Sequence, residues 1–150
     1  MLTIEQLQEL YFTGAHVFTE SHLSHITLPP ETKTWLTDTG LPDSHHLPLD
    51  IHFLGEASPV TIHNNTYLPI AYRWEIIHPI ALEENTGAVC NIDNDTPVYV
   101  NKNLQAFLTL LYHYEHDKEN LANYIKQEDP SAIENPDSFW SLILKQIALQ

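Results

Sequence analysis

The chain has 150 residues, the size of one domain, and is 43% apolar with three Trp, seven Tyr and five Phe, which excludes a disordered chain and allows a real core. Six basic side chains against twenty acidic ones leave a net charge of −14 at pH 7. That balance argues against nucleic acid and anionic membranes, which are held through Lys and Arg, and favours a basic protein whose approach the field would speed.

The first residues, Met1 to Gln6, lack the basic start and apolar stretch of a secretory leader. Thr3 and Gln6 have the spacing of a capping box instead, and Ile4, Leu7, Leu10 and Tyr11 recur at helical spacing up to Gly14, a candidate C-terminal cap. Pro30 suits the first turn of a second short helix, with Trp35 and Leu36 on its buried side, Gly40 as a left-handed cap and Pro42 as a stop.

From there the period changes to two. Leu47, Leu49, Ile51 and Phe53 alternate with His46, Pro48, Asp50 and His52, which predicts a strand buried on one face, with Pro48 placing its start at an edge. Val60 and Ile62 lead into a turn at Asn64-Asn65, followed by Tyr67, Leu68, Ile70 and Tyr72, and this reads as a hairpin. Turns at Asn85-Thr86-Gly87 and at Asp93-Asn94-Asp95 bracket a strand from Ala88 to Ile92 and precede another at Val98-Tyr99-Val100. Cys90, in the first of these, is the only cysteine, so neither an intramolecular disulfide nor a thiolate metal cluster can form. With no apolar run of bilayer length, the expected setting is the cytoplasm.

Helix returns at Asn101 or Asn103, either able to cap a stripe of Leu104, Phe107, Leu108, Leu111 and Tyr114. Leu121, Tyr124 and Ile125 extend it or form a separate turn before the boundary at Asp129-Pro130. A last helix from Asn135-Pro136 carries Trp140, Ile143, Leu144 and Ile147 at i, i+3, i+4 and i+7. The predicted architecture is α+β: a single domain over residues 1–150, with an antiparallel meander flanked by N-terminal and C-terminal helices packed on one face.

Ten histidines make metal and acid–base chemistry worth testing. His113 and His116 share a helix face, with Glu115 and Asp117 beside them, but two ligands do not make a zinc site. His45 and His46 point to opposite faces if extended. Cys90 in a strand reads as a small buried hydrophobe, and no serine sits in a nucleophile elbow. A nuclease built on His46, Asn64 and His78 would lack the cations to hold its substrate. No metal and no cofactor are expected. The carboxylates of predicted turns are left as recognition groups: Asp38, Asp43, Glu83, Glu84, Asp93 and Asp95, with Glu115 and Asp117 after the long helix. Tyr72, Arg73 and Trp74 are candidate anchors, since these residue types are enriched at binding hot spots, although Trp74 serves a core equally well.

Several of these segments resemble the SUKH superfamily. Leu28-Pro29-Pro30 with Trp35-Leu36 and Gly40-Leu41-Pro42 resembles its "LP…fL…GLP" helix, and Tyr67-Leu68-Pro69-Ile70-Ala71 its "yLvIg" strand. Gly87 to Asp93 is similar to the "icid" strand that follows a glycine, and Val100-Asn101-Lys102-Asn103-Leu104 to the "vNsS" run opening the long helix. Phe139-Trp140 to Leu144 resembles the "W…iL" ending of the SUKH-4 immunity subfamily. The likeness runs over roughly residues 28–149, with the elements in the same order. It implies a non-catalytic antidote of a bacterial polymorphic toxin system, neutralising a cognate toxin by direct binding; joined to the charge of the chain, the expectation is an acidic surface that blocks the active site or substrate access of a basic nuclease or deaminase. Fungal relatives imply an alternative, a regulatory scaffold without a toxin; a small hydrolase using His and carboxylate is a third reading.

Overall fold

The protein is described from a computed structural model over residues 1–11, 13–42, 47–55, 57–73 and 76–149, without the side chains of residues 13–15 and 76–78. The capping box forms as spaced: the Thr3 N–H donates to Gln6 Oε1 at 2.9 Å and the Gln6 N–H to Thr3 Oγ1 at 3.1 Å. It opens α1 (Ile4–Tyr11), which buries Leu7 and Tyr11 and leaves Leu10 facing solvent. The helix ends before Gly14, which lies in a short strand β1 (Thr13–His16) instead of capping it.

Helix α2 (Pro30–Thr34) runs into one wider turn over Trp35–Thr39, closed by the Gly40 N–H on the Trp35 carbonyl at 2.7 Å. Gly40 takes φ 77°, and the Trp35 indole returns a 3.0 Å bond to its carbonyl, so ring and cap fix each other. Strand β2 (Leu41–Pro42) then pairs with β1.

The main sheet is antiparallel, made of β3 (Ile51–Phe53), β4 (Val60–Ile62), β5 (Asn65–Arg73), β6 (Ile76–Glu83), β7 (Val89–Asp93) and β8 (Thr96–Asn101). The order is β3-β5-β6-β7-β8, with β4 pairing the other half of the β5 edge. Three details differ from the predicted elements. The strand expected from Leu47 begins only at Ile51, because Leu49 and Asp50 adopt φ of 62° and 54° and turn the chain; His46 lies outside the described residues. The hairpin turn falls at His63-Asn64, one residue early, both with the positive φ that a tight two-residue turn needs. Strand β6 carries no alternation that announced it, yet it is central, bonded on both sides.

Asn103 is the cap of α3 (Leu104–His116): its Oδ1 accepts from the Ala106 N–H at 2.8 Å. A tight turn at Lys118–Asn120 separates it from α4 (Leu121–Glu128), and another at Pro130–Ile133 precedes α5 (Phe139–Ala148). The last helix starts at Ser138, whose Oγ accepts from the Ser141 N–H, and not at Asn135-Pro136.

One large core joins α1, α3, α4 and α5 to a single face of the sheet, with Leu68, Ile70, Ile80, Leu82, Val89 and Val100 rising from the strands. Phe107 is its centre, meeting Phe53, Phe139 and Trp140 at ring separations of 6.5, 6.0 and 6.4 Å. Asp129, buried at the foot of this core, accepts from the Tyr99 hydroxyl, the Asn101 amide and the Lys102 N–H at 2.8–3.0 Å. Burying a carboxylate is tolerable because its lone pairs are so fully engaged. Among the described residues, no helix is long and apolar enough to cross a membrane.

Candidate functional site

The opposite face of the sheet is built from residues that alternate with the core set. Tyr67, Ala81, Cys90 and Ile92 form a second apolar cluster with Ile62 packed against it, and no helical residue belongs to it. Register shifts in the β5–β6 pairing, between Pro69 and Ala71 where β5 carries an extra residue and between Ala71 and Arg73 where β6 carries the excess, and one in the β7–β8 pairing, where β8 carries Val100 as an extra residue opposite Val89 and Cys90, decide which side chains reach this face. Tyr67 and Cys90 form the floor of a hollow of about 320 Å³, together with His63, Glu83, Pro97 and Tyr99. A broader depression of about 550 Å³ adjoins it across Ile62, bordered by Val60, Thr61, Pro69, Pro79 and Asp95.

Burial and the Glu83 carboxylate push the Cys90 thiol up to about 12, so it is a packed neutral group and not a nucleophile. Burial first, then Glu83, also raises the Tyr67 phenol. Glu83 itself accepts from the Thr86 hydroxyl at 2.7 Å, which fixes it at the rim.

Of the predicted recognition residues, Glu83 and Asp95 come together on this face. Asp95 sits in the β7–β8 turn with φ 61°, next to Asn94 at 49°; Asp93 is exposed at the end of β7, in register with Thr96. Tyr72, on β5, stacks on His52 of β3 at 5.3 Å. Other candidates are held elsewhere. Arg73 donates through Nε to the Leu49 carbonyl at 2.9 Å and lies 5.7 Å over the Phe139 ring, which makes it a strut between sheet and helix. Glu84 accepts from the Thr27 N–H, pinning the loop before α2 to the β6–β7 turn. Asp117 accepts from Asn120 and from the Tyr124 hydroxyl. Glu115 is exposed at the end of α3, 3.9 Å from His116, and Asp38 is exposed beside Thr37. Asp43 and Trp74 lie outside the described residues.

The two histidines of α3 turn to aromatic neighbours: His113 stacks flat on Tyr124 at 3.7 Å and His116 packs on Tyr112 at 4.3 Å. Among the described residues, no three of His, Cys, Asp and Glu converge as a metal-ligand set. A separate groove of about 330 Å³ lies between the starts of α2 and α3, lined by Glu31, Thr32, Trp35 and Lys102, and takes in none of the predicted recognition residues. The nuclease trio does not assemble as a described site, because His46 and the His78 side chain are outside the description and Asn64 is a turn residue.

Sequence reasoning did not single out Tyr67, Pro69, Ile92 or Pro97. The signal was present: Tyr67-Leu68-Pro69-Ile70-Ala71 is apolar at every position, and a strand apolar on both faces has something to bury, or to offer, on each.

Compared with known proteins, residues 4–123 match the family model described as SUKH-4 immunity protein. The match begins at the first residue of α1 and ends within α4. No curated protein and no solved structure matches the chain.

Proposed function

The chain belongs to the SUKH-4 immunity protein family, and from that premise we propose that it neutralises its cognate toxin by binding it through an acidic surface, acting as one unit over residues 1–150 and without chemistry of its own. The observation that carries this reading is the family match over four-fifths of the chain (120 of 150 residues). The charge supports the mode: a protein at −14 attracts a basic partner and speeds encounter, and a rigid body seated over a substrate channel excludes substrate with no catalytic step. We take the partner to be a basic nuclease or deaminase, since an enzyme of polyanions presents cationic clefts that this surface complements. A free, buried Cys90 fits a reducing cytoplasm as the place of action.

An interface of standard size, about 1,600 Å² in total, is enough, with affinity set by a few desolvated contacts. The test is to mix the purified chain with the toxin domain encoded beside its gene. A stable complex and rescue of growth on co-expression are expected; a toxin that neither co-purifies nor loses its lethality refutes the reading.

A further inference from the structure

The helix-free face of the sheet has an apolar centre and an acidic rim. Resting on the toxin reading above, we propose that this face, from the β4–β5 hairpin across to the β7–β8 turn, is where the toxin docks, and that its occupant is a basic segment. Arg or Lys side chains of the toxin are set against Glu83 in the narrower hollow and Asp95 in the wider one, while an apolar neighbour lies over Ile62 and Pro69.

Three observations carry the choice of surface. The two adjoining hollows, about 320 and 550 Å³ and sharing Ile62, form an extended concavity, and the helices that cover the other face leave it open. Among the described residues, the Asp, Glu, Lys and Arg side chains that line either hollow are all acidic, Glu83 and Asp95, and none is Lys or Arg. That sign selects the occupant. A second copy of this chain would bring like charge to an acidic face, and a lipid or nucleic acid surface would bring phosphate, whereas a guanidinium or ammonium gains on both encounter and contact. Finally, the walls are stiff. Pro69, Pro79 and Pro97 are ring-locked and stand on paired strands, so they present apolar area with almost no rotamer freedom to lose on binding.

The test uses the full chain and the toxin domain encoded beside its gene, with association followed by biolayer interferometry at low and moderate salt. Glu83→Gln with Asp95→Asn removes two charges from the rim; Gln still accepts from Thr86, and Asn tolerates the left-handed backbone at 95. Glu5→Gln with Glu9→Gln removes the same charge from the exposed side of α1. Thr61→Arg, on exposed β4, places a cation in the wider hollow. Expected are losses of affinity of about tenfold or more for the rim pair and for Thr61→Arg, mostly in association rate for the former, and no more than about twofold for the α1 pair. Equal effects of the two pairs, or wild-type binding by Thr61→Arg with an unchanged melting temperature, overturn the choice of face while leaving toxin binding intact. A wild-type chain that captures no toxin refutes the toxin reading, and this inference with it.

Discussion

The Trp140 indole N–H donates to Asn101 Oδ1 at 2.8 Å, across 39 positions of sequence, inside the core. Asn101 passes its own amide hydrogen to Asp129, so α5, β8 and the turn after α4 are tied by one chain of hydrogen bonds. This explains why the asparagine at the end of β8 and the tryptophan of the last helix belong together: either alone would leave a buried polar group without its partner.

Replacing Asn101 by Ala therefore strands the indole N–H and removes one donor from a buried carboxylate. A loss of about 2–4 kcal/mol is expected in urea unfolding, more than the volume change alone would give. Trp140→Phe deletes the donor, leaves Asn101 Oδ1 without its partner and opens a cavity at a fully buried position, and should cost a comparable amount.

Gly87 supplies the β6–β7 turn with φ +71°, and a Cβ there would lie 2.9 Å from Thr32 Oγ1 and 3.2 Å from Pro29. Gly87→Ala combines backbone strain with a clash against α2 and should destabilise by about 1–3 kcal/mol. Adding Thr32→Ala should recover part of that loss but not the backbone share, which a thermal melt of the double variant will show.

Tyr11 is buried in the core, and its hydroxyl has no hydrogen-bond partner among the described residues. Desolvation raises its pKa, so the group is buried and neutral but unsatisfied. Tyr11→Phe removes the unmet polar group at nearly constant shape and should stabilise the fold, or leave it unchanged, within about 1 kcal/mol. A marked loss of stability would show that the oxygen has a partner after all.

Burial lowers the pKa of His113, outweighing the Glu128 and Asp117 carboxylates that act in the opposite sense. The folded state thus binds a proton less readily than the unfolded chain, whose imidazole titrates near 6.5. Its contribution is fully present above that pH and is lost as pH falls through the lower folded value. Urea midpoints should drop between pH 7.5 and 5.5, and the drop should be smaller in His113→Phe, which keeps an aromatic ring against Tyr124.

Burial of Cys90 predicts a thiol that iodoacetamide reaches at pH 8 only when the protein opens. Labelling in buffer should be slower than in 6 M guanidinium, of molar strength usual for full unfolding, by about a hundredfold or more. Rapid labelling of the folded chain would mean that the sheet face is looser than the packing of Tyr67 and Ile92 around it.

What the sequence determined by itself was whatever is encoded within a few residues. The Thr3/Gln6 box, the Asn103 cap, the Gly40 stop and the apolar stripe of α3 are contacts between near neighbours, and they stand where periodicity and capping chemistry put them. Net charge and a single cysteine likewise need no fold to be read, and the resemblance of the ordered motifs to the SUKH superfamily is what suggested an immunity protein. Only the tertiary structure decided which acidic groups share a surface. Glu83 and Asp95 line two adjoining hollows on one face of the sheet, whereas Glu84, Asp117 and the cationic Arg73 are held in contacts with their own chain. Bulges at Ile70 in β5 and Val100 in β8 decided which face each side chain takes, since one inserted residue reverses the alternation. Asp129, read locally as a boundary before Pro130, became the acceptor at the foot of the core because Tyr99, Asn101 and Lys102, distant in sequence, converge on it. Local propensity carries no information about such convergence; it arises when the sheet closes against its helices and buried polar groups must find partners.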